Sequence, residues 1–147
     1  MELIIIIGLP GSGKSALSSE YELQGYKIYD DFLERYYESD LIMDLQHNIK
    51  LCINDPRLCN FYNFKRIYND IMKRTFLTNC NIKIIMFENN LFLCEQNIRK
   101  REHNSDINKI KRLTTSIMHF SIIYHVYIFV HFFTVNNIEY DYKTVHT

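Results

Sequence analysis

The sequence predicts a three-layer α/β fold, a parallel sheet between two layers of helices. Three observations carry the prediction. An uninterrupted aliphatic run, residues 3–7, preceded by Glu2, leads into a glycine-rich segment. Apolar runs of strand length then alternate with segments of helix length. No repeat, linker or low-complexity stretch divides the 147 residues, a length that favours one domain over residues 1–147.

The elements follow in order. Residues 2–7 are short, β-branched and bounded by glycine, the pattern of a strand buried on both faces. Residues 12–24 read as a helix closed by Gly25. Residues 26–29 form a second strand that ends at Asp30 and Asp31. Residues 32–45 read as one helix, with Phe32, Leu33, Tyr36, Tyr37, Leu41 and Leu45 near one face. Residues 49–53 are a third strand, stopped by Pro56. Residues 61–77 form a long amphipathic helix, residues 82–87 a fourth strand and residues 91–102 a helix. Asp106 is positioned to cap a further helix running to about residue 117.

The end of the chain, residues 114–147, is read as a final helix and strand. Residues 119–135 contain no Asp, Glu, Lys or Arg and are rich in aromatic and β-branched residues. The expectation is a final core strand within residues 124–134. A membrane anchor is the competing reading, although the run is shorter than the ~20 residues a spanning helix needs. In a strand, His125 and His131 would share a face, which opens a metal site as a minor alternative.

Composition removes several function classes. Apolar residues make up 47% of the chain, too many for a disordered one. Formal net charge is zero, so no global basic field attracts nucleic acid, and any such role rests on a local patch. Cys52, Cys59, Cys80 and Cys94 show neither CxxC nor zinc-site spacing and read as reduced thiols. The amino terminus has no signal-peptide pattern. A cytoplasmic protein with no membrane contact is expected.

The chemistry begins at Gly8-Leu9-Pro10-Gly11-Ser12-Gly13-Lys14-Ser15, which fits GxxxxGK(S/T) at every fixed position. A strand before it and a helix after it supply the required context. Glycines let the backbone close around phosphate, and successive N–H groups make an anion nest beside a helix N-terminus. Lys14 is expected to neutralise the β- and γ-phosphates and Ser15 to ligate Mg²⁺. ATP and Mg²⁺ are therefore the expected cofactors, with Gly8, Pro10, Gly11, Ser12, Gly13, Lys14 and Ser15 holding them. The fold becomes a P-loop NTPase fold with a small helical lid. No NKxD segment reads guanine, and no strand ends in Asp-Glu as in motor ATPases. Small size favours a kinase.

With Tyr29-Asp30-Asp31-Phe32 after the second strand, the chain resembles the kinase domain of phage polynucleotide kinases and related small P-loop kinases of AAA type. The resemblance covers about residues 1–113. It implies that Asp30 is the general base on the attacking hydroxyl. Strand ends in open α/β folds face the ligand crevice, where a carboxylate can take that proton. Capping of the next helix is the structural alternative, and Asp31 suits it. The resemblance also implies an acid near Asp55 that touches acceptor or metal. Arg57 could contact acceptor phosphate or form a surface ion pair. Phe87-Glu88-Asn89-Asn90 and Cys94-Glu95-Gln96-Asn97 resemble the segment leading into the lid. There Arg101, with Arg99 second, is implied to reach the γ-phosphate; a solvated helix face is the alternative. The family's arginine shortly after the Asp pair is missing: Leu33 holds that spacing and Arg35 stands two residues on.

Lys14, Asp30 and Arg101 are thus the expected catalytic residues, with Asp55 and Arg57 on the substrate side. The expected activity is transfer of the γ-phosphate of ATP to a hydroxyl, either on a nucleic-acid 5′ end or on a nucleoside, nucleotide or other small metabolite. An ATP-binding switch or decayed copy, and a membrane-tethered adaptor, are the readings from other classes.

Overall fold

Strand β1 (Glu2–Ile7) is the centre of the molecule, because five aliphatic residues in a row can be satisfied only with both faces covered. In the computed structural model, which describes residues 1–75 and 80–146, residues 3–7 are all buried. The chain continues through α1 (Lys14–Leu23), β2 (Lys27–Asp30), α2 (Phe32–Arg35), α3 (Glu38–Gln46) and β3 (Leu51–Asn54). A 3₁₀ turn (Pro56–Cys59), α4 (Phe61–Thr75), β4 (Asn81–Phe87), α5 (Leu91–Arg101), α6 (Ile107–Ile123), α7 (Val126–Val135) and β5 (Tyr140–Lys143) complete it.

The five strands form one parallel sheet in the order β2-β3-β1-β4-β5. The order reverses direction at β1, with β3 on one side and β4 on the other. That switch point opens a crevice beyond the carboxyl ends of β1 and β3, where the glycine-rich loop lies. Seven α-helices among the described residues alternate with or follow these strands, giving the α/β architecture that the sequence predicts.

Two expectations change. Residues 32–45 are two helices, because Tyr36 and Tyr37 are extended. Tyr36 turns its ring onto Tyr29 at 4.6 Å between centroids. Glu38 and Asp40 then open α3, where negative charge favours a helix start. The expected end of the helix over residues 61–77, at residues 76 and 77, lies outside the described residues.

The second change concerns residues 124–134, which hold most of helix α7; the last strand lies later, at Tyr140–Lys143. Phe129, Phe132 and Phe133 have the i, i+3, i+4 spacing of one helical face. That face meets Phe61, Phe64 and Tyr68 of α4, with Phe61–Phe129 at 5.3 Å and Phe64–Phe133 at 5.6 Å. Tertiary packing thus overrides the strand propensity of the aromatic and β-branched residues. His119 lies in α6, His125 occupies the N-cap position of α7 without a side-chain cap and His131 sits within α7, all exposed. Among the described residues no group of three or more His, Cys, Asp or Glu is placed to hold a metal. No single described helix is long and apolar enough to cross a membrane; α6 and α7 reach that length and composition only as a pair bent by 45°.

Candidate active site

The glycine-rich loop, residues 8–13, joins β1 to α1. Gly11 and Gly13 have φ of 82° and 112°, values an L side chain rarely adopts. A Cβ on Gly11 would lie 2.4 Å from the Cys94 carbonyl oxygen, so the loop can seat against α5 only with glycine there. Gly13 is the N-cap of α1 and offers no side-chain cap. The first N–H groups of that helix therefore lack the partner a capping side chain would give. Ser12 is 2% exposed, and its hydroxyl has no hydrogen-bond partner.

Lys14 is 7% exposed, and its ammonium donates to the Leu9 carbonyl at 2.8 Å. Burial pushes its pKa below the ordinary value of 10.5, with Cys59, Cys94, Asp30 and Asp55 acting in the other direction. Burial also pushes the thiols of Cys59 and Cys94 up, to about 12 and about 11, so both stay protonated at neutral pH. All four cysteines are free.

A cavity of about 550 Å³ opens over the loop. Pro10, Gly11, Gly13, Lys14, Ser15 and Ala16 form its floor, and Asp30, Asp31, Asn54 and Pro56 form one side. Asn97 and Arg101 of α5 and Leu113 of α6 form the other. Lys14, Asp30 and Arg101, far apart in sequence, thus line one space. Ser15 lies on its floor, exposed. A second cavity of about 580 Å³ borders the loop between α1 and the end of the chain, with Leu17, Glu20, Phe87, Tyr142 and His146 among its lining.

The remaining expected residues stand elsewhere. Arg99 pairs with Glu95 at 2.9 Å, one turn back on α5, and does not line the cavity. Asp55 is fully buried and caps the 3₁₀ turn. Its Oδ1 accepts from the Arg57 N–H and its Oδ2 from the Leu33 N–H, both at 2.8 Å. Arg57 reaches Asp55 and Glu34, each at 3.4 Å, away from the cavity. Asp31 occupies the N-cap position of α2 but its side chain makes no cap; with φ of 52° it turns to the cavity wall instead. Arg101 is held by Glu102 at 3.3 Å. The Glu102 carboxyl is drawn down to about 2 by the Ser105 hydroxyl, then by Lys109 and Arg101.

Two wall residues escape the sequence reading. Asn54 extends β3 by one residue beyond the expected end, so it, rather than Asp55, faces the cavity. It pairs in register with Asp30 across the sheet, a relationship that only the fold supplies. Asn97 donates to the Gly11 carbonyl at 2.9 Å and to the His146 carbonyl at 2.8 Å, tying loop, helix and chain end together. Nothing in local sequence marks that contact.

No family model matches the chain. A gluconokinase from Sinorhizobium meliloti 1021 has a similar structure, with a TM-score of 0.55 at 10% identity, over 99% of this chain and 83% of that one. A designed protein of P-loop NTPase fold aligns over 86% of this chain and 98% of its own, at 16% identity and a TM-score of 0.41. The sheet order, the loop at the switch point and the gluconokinase likeness identify the P-loop NTPase fold. In sequence the chain is similar to an uncharacterized protein of Acanthamoeba polyphaga mimivirus, 42% identical over 109 residues, 70% of this chain and 75% of that one. At that identity and coverage, the chain belongs to the same family as the mimiviral protein.

Proposed function

We propose that this protein is a Mg²⁺-dependent phosphotransferase that moves the γ-phosphate of ATP to a hydroxyl group. The observation that carries the reading is the single cavity shared by Lys14, Asp30 and Arg101 over a glycine-rich loop. The chain fits the phosphates on three counts. The Ser12 hydroxyl is buried without a partner, the start of α1 lacks a side-chain cap, and the Lys14 ammonium is buried beside the cavity. A phosphate chain answers all three with negative oxygens.

Each residue then has a task. Lys14 exchanges its bond to the Leu9 carbonyl for phosphate oxygens, and Gly11 and Gly13 keep the backbone close enough to donate. Ser15 would hold Mg²⁺ through its hydroxyl, and the metal when bound would offset charge on the β- and γ-phosphates. Asp30 takes the proton of the attacking hydroxyl at its carboxylate. Arg101 approaches from α5 and neutralises charge on the transferring group. Tyr142 and His146 offer flat rings in the second cavity for the nucleoside end of ATP. Asp55 and Arg57 act by shaping the wall from behind.

Transfer of label from γ-labelled ATP in the presence of Mg²⁺, to pooled 5′-hydroxyl oligonucleotides and pooled small hydroxyl compounds, tests the reading. Lys14→Ala is the control. Label on either pool that Lys14→Ala abolishes supports the phosphotransferase. Bound ATP with no label on any acceptor would reduce the protein to a nucleotide-binding switch.

A further inference from the structure

We infer that the acceptor of this site is an uncharged hydroxyl compound, gripped between Asp30 and Asn54. The inference rests on the phosphotransferase reading and narrows its acceptor.

Three observations lead to it. Asp30 and Asn54 are Cα partners at the carboxyl ends of the adjacent parallel strands β2 and β3, and both line the cavity. Residues in register on neighbouring strands point to the same face, with strands only ~4.8 Å apart. Asn54 is 2% exposed, and its Nδ2 has no hydrogen-bond partner. A buried N–H donor left unpaired is unfavourable, and one at a cavity wall calls for an oxygen from a ligand.

The third observation is charge. The ends of β2 and β3 bring Asp30, Asp31, Asn54 and Pro56 to the cavity, two carboxylates and no cation of their own, with Lys14 of the loop near enough to Asp30 to interact with it electrostatically. Arg57 is turned to Asp55 and Glu34, and Arg35 reaches Asp31 at 3.9 Å without lining the cavity. Lys14 and Arg101, the two cations lining the cavity, are the groups that the proposed function commits to the transferring phosphate.

A carboxylate only accepts hydrogen bonds and an amide N–H only donates them; a hydroxyl does both. The acceptor hydroxyl therefore donates to Asp30 and accepts from Asn54 Nδ2, which leaves a lone pair for the γ-phosphorus. In the transfer, the acceptor oxygen forms a bond to that phosphorus. The bond from phosphorus to the bridging oxygen breaks, ADP departs with the bond's electron pair, and the hydroxyl proton passes to Asp30. An acceptor bearing phosphate or carboxylate near this hydroxyl would meet Asp30 and Asp31, while both cations lining the cavity, Lys14 and Arg101, are engaged by the transferring phosphate. A nucleic-acid end carries such charges; neutral sugars, polyols and nucleosides do not.

The test ranks kcat/KM of the full chain with Mg²⁺ and ATP across single acceptors. The panel holds neutral sugars, polyols and nucleosides, their phosphorylated and carboxylated counterparts, and a 5′-hydroxyl oligonucleotide. The expected result is that neutral acceptors exceed charged counterparts by about tenfold or more. Asn54→Leu and Asn54→Asp should each raise the acceptor KM about tenfold, the worth of a buried hydrogen bond, and leave the Kd for ATP in place. Preference for the oligonucleotide or phosphorylated acceptors overturns the inference while the phosphotransferase stands. So does weaker ATP binding by both variants at an unchanged acceptor KM. If the variants do not fold, the wild-type ranking still decides. ATP bound with no label on any acceptor defeats the phosphotransferase reading itself, and this inference with it.

Discussion

The side-chain amide of Asn97 lies 2.9 Å from the carbonyl oxygen of Gly11, so the glycine-rich loop hangs from helix α5. The same amide holds the His146 carbonyl at 2.8 Å. Asn97→Leu removes both donors and leaves two carbonyls to find water. We expect ATP binding to weaken by roughly 1–3 kcal/mol. Faster hydrogen exchange over residues 143–146 should accompany it. Unchanged exchange there would show that the chain end is held by the Glu88 contacts to Lys143 and Val145 alone.

Gly11→Ala tests the seat of the loop. Its φ of 82° and the 2.4 Å approach to the Cys94 carbonyl leave no room for a methyl group. Left-handed strain at a non-glycine residue costs about 1–3 kcal/mol, so the thermal midpoint should fall by several degrees and ATP should no longer raise it. A variant as stable as the parent would mean that the loop can leave α5 without loss.

Lys14→Met should abolish transfer and the stabilisation by ATP, yet raise the stability of the ligand-free protein. Burial holds the Lys14 pKa below its unfolded value of 10.5, so the charged form is disfavoured in the fold. Between the lowered folded value and 10.5 the unfolded chain binds more protons, and stability contributed through Lys14 rises with pH. Below that window the contribution is a constant penalty. Other lysines shift the opposite way, as Lys27 does beside Asp44. The difference between parent and Lys14→Met melts, followed from neutral to alkaline pH, isolates the effect. A Met variant less stable than the parent at pH 7 would assign Lys14 a net structural benefit.

Asp30→Asn keeps the shape and removes the proton acceptor. Turnover should fall roughly 10²–10⁴-fold, with ATP affinity retained. Full activity in that variant would leave Asp30 as a wall residue only.

Arg101→Ala should lower kcat by roughly 10²-fold or more, with a smaller change in either KM, because its charge matters most as the phosphoryl group moves. Arg99→Ala, which breaks only the pair with Glu95, serves as the comparison and should lose little. Equal losses in the two variants would point to the basic segment as a whole rather than to Arg101.

The sequence by itself determined β1, the loop and α1, because an all-aliphatic strand and a glycine-rich turn into a helix satisfy only one local geometry. It also determined the alternation that yields a parallel sheet, and it picked out Lys14, Asp30 and Arg101, which the fold brings to one cavity. Only the tertiary structure decided which residue at the end of β3 faces that cavity. One added residue of strand pairing turns Asn54 to the wall and Asp55 inward to the Leu33 and Arg57 amides. Since side-chain direction alternates along a strand, a shift of one residue exchanges a carboxylate for an amide. The tertiary structure likewise made residues 126–135 a helix. Strand propensity is a weak local preference, whereas Phe129 and Phe133 gain full burial against the rings of α4 only at helical spacing.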